Sequence, residues 1–453
     1  MKELVFIFLI FSSTNGLTQG IGFFKPLRYD EDYSFLEKDT TIEWYAKMKF
    51  SPLSQNKTTY LSYGGEVRFQ YFYAKNEDWG EAPQDKDGYI LTRYLLHADL
   101  HAGRHFRTFI QLQSSLANGM KSPPSPVDEN QLDLHQAFMD MILPLTRQHL
   151  LTVRLGRQEL LYGSQRLIAV RDGPNNRQSF DAIKLLYTGG KFNVDLFYSH
   201  FVRSKPQIFD DGFNSNTKFW GGYITRKEMS FLNNIDFYYL GLWKKIAAFD
   251  DGHGKELRHS IGSRLWSSKS NWRYDIEGVY QLGKFAEKNI NAWTASLNTG
   301  YKFNRAKLKP EAGIKAEWIS GDAQYGDNKL QTFNPLFPRG GYFGLASLIG
   351  PVNLFDIHPS LTLELNESLF LNMDYDIFWR YSKNDGIYGP NVLMIYSGKN
   401  NPFKFIGNQL ATDLVYTPNA FLYFRWEFTW FDAGEYLKAA GTGKDIIFTG
   451  VTA

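Results

Sequence analysis

The chain has 453 residues, no cysteine, and 50 basic against 47 acidic side chains, a net charge of +3. The lack of cysteine excludes disulfides, thiolate metal sites, cysteine nucleophiles and a lipid-modified N-terminal cysteine. The balanced charge leaves no global field to attract nucleic acid, so no such partner is expected. Aromatic residues make up 17% (27 Tyr, 37 Phe, 11 Trp), which suits interfacial aromatic belts better than a cytosolic enzyme.

In chain order, the first feature is a leader. Lys2 precedes an apolar run at 4–11 that is too short to cross a bilayer, and Thr14 and Gly16 supply small residues for cleavage. Residues 1–19 are predicted to be a secretory signal and 20–39 an irregular periplasmic lead-in. No later stretch approaches the roughly 18–20 apolar residues of a membrane-spanning helix.

A two-residue alternation then begins. Ile42, Trp44, Ala46 and Met48 oppose Glu43, Tyr45, Lys47 and Lys49, predicting a strand. In 60–74, Leu61, Tyr63, Val67, Phe69 and Tyr71 share one face, and Ser62, Glu66, Arg68 and Gln70 the other. In 89–102 the polar face holds Arg93, His97, Asp99 and His101. Strands at 106–116 and 132–141 flank a proline-bearing loop at 117–130.

Residues 150–187 stand apart. Leu151, Val153 and Leu155 face one way; Thr152, Arg154, Gly156 and Gln158 face the other. A segment with Arg166, Arg171 and Arg177, broken by Asp172-Gly173-Pro174-Asn175, leads into a strand at 180–187. There Lys184 opposes Ile183 and Leu185. Such a segment suits an acidic ligand in a soluble protein or the positive lining of a pore.

The alternation continues at 191–202, 219–225, 235–243, 257–267, 272–282, 290–303, 308–319, 361–365, 369–381, 406–416 and 421–431, and a last strand begins at 445. Polar faces carry Arg264, Asp275, Glu277, Asp374, Asp376, Arg380, Arg425 and Glu427. The stretch 320–355 is long for a loop, and loops of that length are usually functional. Segments of about 9–14 residues with strict parity match tilted transmembrane strands. The expected fold is therefore all-β: one transmembrane antiparallel β-barrel of about 18 strands over 20–453, with long extracellular loops. The chain stops at Val451-Thr452-Ala453, short of the aromatic ending usual in such barrels, so a truncated last strand is expected.

In a barrel the ionic faces line the lumen, and charged rings decide what passes. The positive set is Arg68, Arg93, Arg154, Arg157, Arg166, Arg171, Arg177, Lys184, Arg264, Arg380 and Arg425. The negative set is Glu66, Asp99, Asp275, Glu277, Asp374, Asp376 and Glu427. Arg157 is awkward, because parity from Val153 and Leu155 points it outward unless Gly156 forms a bulge. The structural alternative is that these charges pair across strands and hold the wall together. Asp374 and Asp376 could pass for a glycosidase pair, but a lumen arginine partner is the simpler reading. His97 and His101 lie about 13 Å apart along a strand, too far to share an ion. Asp322 and Asp327 in a glycine-rich loop could take calcium. No nucleotide, hydrolase or metalloprotease motif is present, so neither an enzyme, a metal nor a cofactor is expected.

The run Val153-Arg154-Leu155-Gly156-Arg157-Gln158-Glu159-Leu160 resembles a strand motif of the alginate export family. The resemblance continues through 175–181, through Ser320-Gly321-Asp322 and Thr332–Pro338 with Tyr342-Phe343-Gly344, and through Gly407-Asn408-Gln409-Leu410 with Asp413. It implies an 18-stranded outer-membrane porin with an arginine-rich, electropositive constriction, in which Arg154 and Arg157 are the most similar positions. The function this implies is facilitated diffusion of an alginate-like polysaccharide or other acidic saccharide. The expected setting is the lipid of a bacterial outer membrane, as a monomer, with periplasmic export proteins as partners. A general or uptake porin with little anion selectivity is the alternative, and a secreted β-rich carbohydrate-binding protein a third.

Overall fold

The computed structural model describes residues 24–38, 44–229, 233–268 and 270–453; the leader expected at 1–19 lies outside them. Eighteen long strands form one antiparallel sheet. They are β1 (Tyr60–Lys75), β2 (Tyr89–Ala102), β3 (Phe106–Asn118), β4 (Asn130–Thr146), β5 (His149–Gln158) and β6 (Phe180–Gly189). Then come β7 (Phe192–Phe201), β8 (Thr217–Met229), β9 (Asn233–Phe249), β10 (Gly252–Ser267), β11 (Trp272–Phe285) and β12 (Lys288–Lys302). The last six are β13 (Glu311–Ile319), β14 (Leu354–Asn366), β15 (Leu369–Arg380), β16 (Phe405–Asn419), β17 (Leu422–Ala433) and β18 (Ile446–Thr452).

Each strand pairs with its sequence neighbour. β18 pairs with β17 on one side and with β1 on the other, Gln70 opposite Thr452 and Lys75 opposite Ile447. The sheet therefore closes at this seam. Closure lets the wall satisfy its ladder hydrogen bonds internally, as a lipid environment demands, although β18 reaches only Gln70–Lys75 of β1.

Parity sets the two faces. Outward positions such as Val67, Leu96, Ile183, Phe237, Ile261 and Trp430 are exposed hydrophobics. Inward positions are polar and paired or apolar and covered. Tight turns join strands at one end, between β2 and β3, β4 and β5, or β6 and β7. The opposite end carries the loops 159–179, 320–353 and 381–404. Short turns are periplasmic and long loops extracellular in outer-membrane barrels, which orients the molecule.

Two long loops turn inward. Loop 159–179 and loop 320–353 pair with each other: Ala169 N–H donates to Phe337 O (2.9 Å), Phe337 N–H to Leu167 O (2.9 Å) and Arg339 N–H to Gln165 O (3.2 Å). Phe333, Leu336, Phe337, Tyr342 and Phe343 are buried against inward side chains such as Phe180, Phe219 and Phe378. Burying these rings offsets the cost of ordering long loops.

Two local expectations change. Residues Trp44–Lys49 form a helical turn rather than a strand. Tyr45 and Lys49, four apart, are the buried pair, and one face of a helix is built from that spacing. The lead-in expected to be periplasmic is also partly docked: Leu27 and Tyr29 are buried, while Ser34–Lys38 has no buried residue. Tyr29 is buried against Phe109 and Phe138, with ring centroids 5.7 and 5.1 Å away, and Phe24 and Tyr45 both contact Phe421 in the β16–β17 turn. The segment thus crosses the periplasmic mouth.

Candidate functional site

Every strand-borne member of the two charge sets except Arg157 points into the lumen. Arg157 faces outward at the extracellular rim. Its register with Ala137 and Asp181 is unbroken, so no bulge at Gly156 turns it in. Asp181 accepts from its Nε at 2.8 Å, and the carbonyls of Leu134 and Asp211 accept from Nη1. Arg157 therefore does not line the pore.

Several of the inward charges are committed to the wall. Arg154 is clamped by Asp140, at 2.7 and 2.8 Å, and lies against Tyr29 and Phe138. Lys184 pairs with Asp195 (2.9 Å), and Arg264 with Asp236 (3.1 Å) and Asp275 (2.6 Å). Asp99 binds Arg107 (2.6 Å). Arg380 donates to the carbonyls of Phe403, Lys383, Asp385 and Asn401 and stacks on Tyr436, 4.0 Å away; it ties loop 381–404 down. Asp376 and Asp356 flank His358, and Asp374 lies beside them. Asp374 and Asp376 are thus part of a histidine–carboxylate cluster rather than partners of an arginine.

Loop 159–179 brings in the remaining candidates. Arg166 reaches across the lumen to Glu277 (3.4 Å), Glu317 (2.9 Å), Ser296 (2.6 Å) and the Tyr342 hydroxyl (2.8 Å). Arg177 pairs with Glu159 (2.7 Å), and its Nη2 donates to Pro26 O. Arg171 adopts φ 56° and donates to Pro338 O (3.3 Å) and Pro390 O (3.4 Å). Burial pushes its guanidinium down to about 10.

The densest charge assembly surrounds Asp172. Arg93 donates to its carboxylate at 2.8 Å, and Arg177 lies 3.5 Å from it. Arg68 donates to the carbonyls of Asp172 (2.6 Å) and Pro174 (2.8 Å). Glu66 joins through Arg93 (2.5 Å) and Arg28 (3.1 Å). Although ringed by wall and loops, the Asp172 side chain is 62% exposed. Burial raises its carboxyl, but Arg93, Arg177 and Arg68 outweigh that and hold it well below the usual carboxylate range. Among the described residues Arg68, Arg171 and Arg339 make no ion pair with a carboxylate. Arg339 is exposed at the seam between the loops, with Nη2 on Tyr342 O (3.2 Å). On the facing wall Lys315 lies over Tyr342, 4.4 Å away, and Arg425 bridges Asp413 (3.3 Å) and Glu427 (2.5 Å).

Asp172, Arg339, Tyr342, Asp140 and Tyr29 were not among the predicted site residues. Parity carries no information inside a loop, and a strand pair such as Asp140–Arg154 needs the register. The proline and glycine pair around Arg339 (Pro338-Arg339-Gly340-Gly341) was the available hint of a held cation. Among the described residues, Asp251, Asp322 and Asp327 lie close enough to share an ion, but Lys288 and Gly326 N–H already serve Asp251.

The sequence profile of the alginate export family matches residues 59–445. No curated protein sequence matches. Solved outer-membrane barrels share the fold at low identity. A BenF-like porin from Pseudomonas fluorescens Pf-5 has a TM-score of 0.57 at 9% identity, covering 87% of this chain and 98% of its own. Pseudomonas aeruginosa OccK2 (OpdF) in complex with glucuronate has 0.52 at 10%, covering 86% and 95%. Pseudomonas aeruginosa OpdK with vanillate has 0.54 at 10%, covering 87% and 97%. The profile match spans β1 to β17 and both inward loops, and with the closed porin-like barrel it places this chain in the bacterial outer membrane as a member of the alginate export family.

Proposed function

We propose that the barrel is a channel for acidic saccharides, with anion preference set at the seam of the two inward loops. The observation that carries this reading is the convergence of Arg93 and Arg177 on the exposed Asp172 carboxylate, with Arg68 on its backbone carbonyl. A protein carboxylate there sits on guanidinium groups that a uronate carboxylate would also fit. Guanidinium forks bind carboxylates with paired hydrogen bonds and keep their charge at any physiological pH. Arg171 and Arg339, without carboxylate partners among the described residues, supply the next sites along the path. A uronate can then exchange from one guanidinium to another instead of being trapped by one. The barrels solved with glucuronate and vanillate, both carboxylates, are consistent with such chemistry in this fold. An extended polymer would need the N-terminal segment displaced from the periplasmic mouth, so mono- and short oligo-uronates are the favoured cargo. Acidic saccharide, the surrounding outer-membrane lipid and periplasmic export proteins remain the expected partners, and no catalytic chemistry is assigned.

The second reading, a general porin, draws on the paired wall: Arg154–Asp140, Lys184–Asp195 and Arg264–Asp275 cancel locally. Reversal potentials in planar bilayers under a salt gradient decide between the two. Anion selectivity that falls several-fold in the Arg171→Ser/Arg339→Ser double variant, with block by oligo-uronates but not by neutral oligosaccharides, supports the arginine seam. Conductance without anion selectivity in the unmodified protein removes it.

A further inference from the structure

On the outer wall the register aligns side chains of successive strands at common heights. One outward row, from β6 to β10, is Leu185, Leu196, Gly222, Tyr239 and Ile261. The next row toward the extracellular end is Ile183, Tyr198, Trp220, Gly241 and His259. Gly222, among large side chains, notches the wall, whereas the Trp220 ring covers Gly241. The notch is part of the floor of an outward-facing apolar groove of about 760 Å³, walled by Ile183, Leu185, Leu196, Ile224, Phe237 and Ile261. Leu196 leans over Gly222, so that a Cβ there would lie 3.0 Å from Leu196 Cδ2.

Above the groove the chemistry changes. The third row contains His200, Lys218, Trp243, Leu257 and Lys284. Lys245 and Lys255 stand just beyond it, outward and exposed. The Lys218 and Lys255 ammonium groups lie 5.2 and 5.9 Å from the Trp243 ring. Among the described residues no carboxylate lies within ion-pair distance of Lys218, Lys245, Lys255 or Lys284. Four uncompensated cations thus span four neighbouring strands, roughly 15 Å at the usual strand spacing, and Lys218 stands about 13 Å along the wall from Gly222. On β13–β15 a row of Trp318, Phe355 and Trp379 has Lys383 and Lys404 beside it, both on the single loop 381–404.

Ordinary interfacial lysines anchor a barrel to any lipid. This cluster is wider than one phosphate can bridge, and it sits over a groove of acyl-chain character at the end that bears the long loops. We infer that this face binds a bis-phosphorylated, multiply acylated glycolipid of the outer leaflet (lipid A). One acyl chain lies in the groove floored by Gly222, and the two phosphates lie on the Lys218–Lys245–Lys255–Lys284 band. Trp220, Trp243 and His259 pack against the saccharide between them.

Native mass spectrometry of the detergent-solubilised full chain with lipid A tests this, using the monophosphoryl form and phosphatidylglycerol as comparators. Tighter retention of the bis-phosphoryl lipid by at least about tenfold is expected, since its second phosphate adds charge-assisted contacts to the lysine band. That preference should vanish in Lys218→Gln/Lys245→Gln/Lys255→Gln and return with arginine at the same positions. Gly222→Leu should weaken all three lipids by filling the groove; if that variant does not fold, the lysine series decides alone. Equal retention of phosphatidylglycerol and lipid A, or unchanged lipid A binding in the lysine variant, would overturn the site.

Discussion

Asp140 grips the Arg154 guanidinium with two hydrogen bonds, 2.7 and 2.8 Å long, while the Tyr29 and Phe138 rings lie 4.3 and 4.0 Å from its centre. The arginine that most resembles a family pore residue therefore clips the N-terminal segment to the wall, and Arg107 adds a hydrogen bond to Tyr29 O. Arg154→Met keeps the stem and removes the charge. It is expected to leave ion selectivity unchanged and to raise conductance by loosening Tyr29 at the periplasmic mouth. Asp140→Ala leaves a buried guanidinium uncompensated and should destabilise the barrel by about 3–5 kcal/mol in urea refolding. A fall in anion selectivity in Arg154→Met without a conductance change would return Arg154 to the pathway.

Asp172 is the counter-ion of the arginine assembly, and its removal should act in the opposite sense to removal of an arginine. Asp172→Asn conserves shape and the carbonyl that Arg68 and Arg93 use. The variant is expected to be more anion-selective than the unmodified channel and to be blocked by oligo-uronates at lower concentration. Because the three guanidiniums hold the native carboxyl below the usual range, it is ionised throughout neutral pH. The difference between variant and native channel should then stay flat from about pH 5 to 8. Single-channel recordings across that range check both the sign and the flatness.

The wall was legible because a period of two is a complete instruction for a strand: it fixes which side chains face the lumen, and Arg68, Lys184, Glu277 and Arg425 all follow it. The same rule already pointed Arg157 outward, where Asp181 holds it. Failures occurred where parity has no meaning. Residues 42–49 alternate, yet Tyr45 and Lys49 also satisfy helical spacing, and helical burial prevailed. Arg166, Arg171 and Arg177 were visible as basic residues, but their partners Tyr342, Pro338 and Pro26 come from segments whose inward turn no local pattern encodes. Which inward charges are free is a property of strand register and loop docking together, and that kept Asp172 and Arg339 out of view.

Loop 320–353 should respond to pH through Asp322. Burial, then the facing carboxylate of Asp251, pushes its carboxyl up to about 8, with Asp385 adding to the effect and the Gln331 N–H opposing it. Lys288 also lies beside this pair, on Asp251. A raised carboxyl binds its proton more tightly in the docked loop than in the undocked one. The docked state is therefore most stable below the ordinary value near 4, and its advantage is lost as pH rises through about 8. Hydrogen exchange at 320–331 should accelerate between pH 5 and 9 beyond its intrinsic rate, and Asp322→Asn should abolish that excess. Equal protection at both ends of the range in the native protein would contradict the assignment.

Gly156 explains why the basic strand motif needs its glycine. Its φ is 132°, outside the region open to other residues, and a Cβ there would collide with the Ala137 carbonyl of β4. The backbone cannot easily yield, because Gly156 is in register with Phe138 on one side and Ala182 on the other. Two residues later β5 ends and loop 159–179 begins its inward path, so this distortion sets the direction in which Arg166, Asp172 and Arg177 are delivered. Gly407, with φ 153°, stands at the start of β16 just after loop 381–404, where an added Cβ would meet the Asp432 carbonyl. Gly156→Ala should cost about 1–3 kcal/mol in backbone strain, with the steric clash in addition. It should also lower the folded fraction in urea-gradient refolding. The fraction that does fold should show reduced anion selectivity, because Asp172 and its arginines depend on the loop's launch angle. Normal refolding together with normal selectivity in Gly156→Ala would mean the strand accommodates a side chain there, and the loop would have to be aimed by its contacts with Phe337 and Arg339 alone.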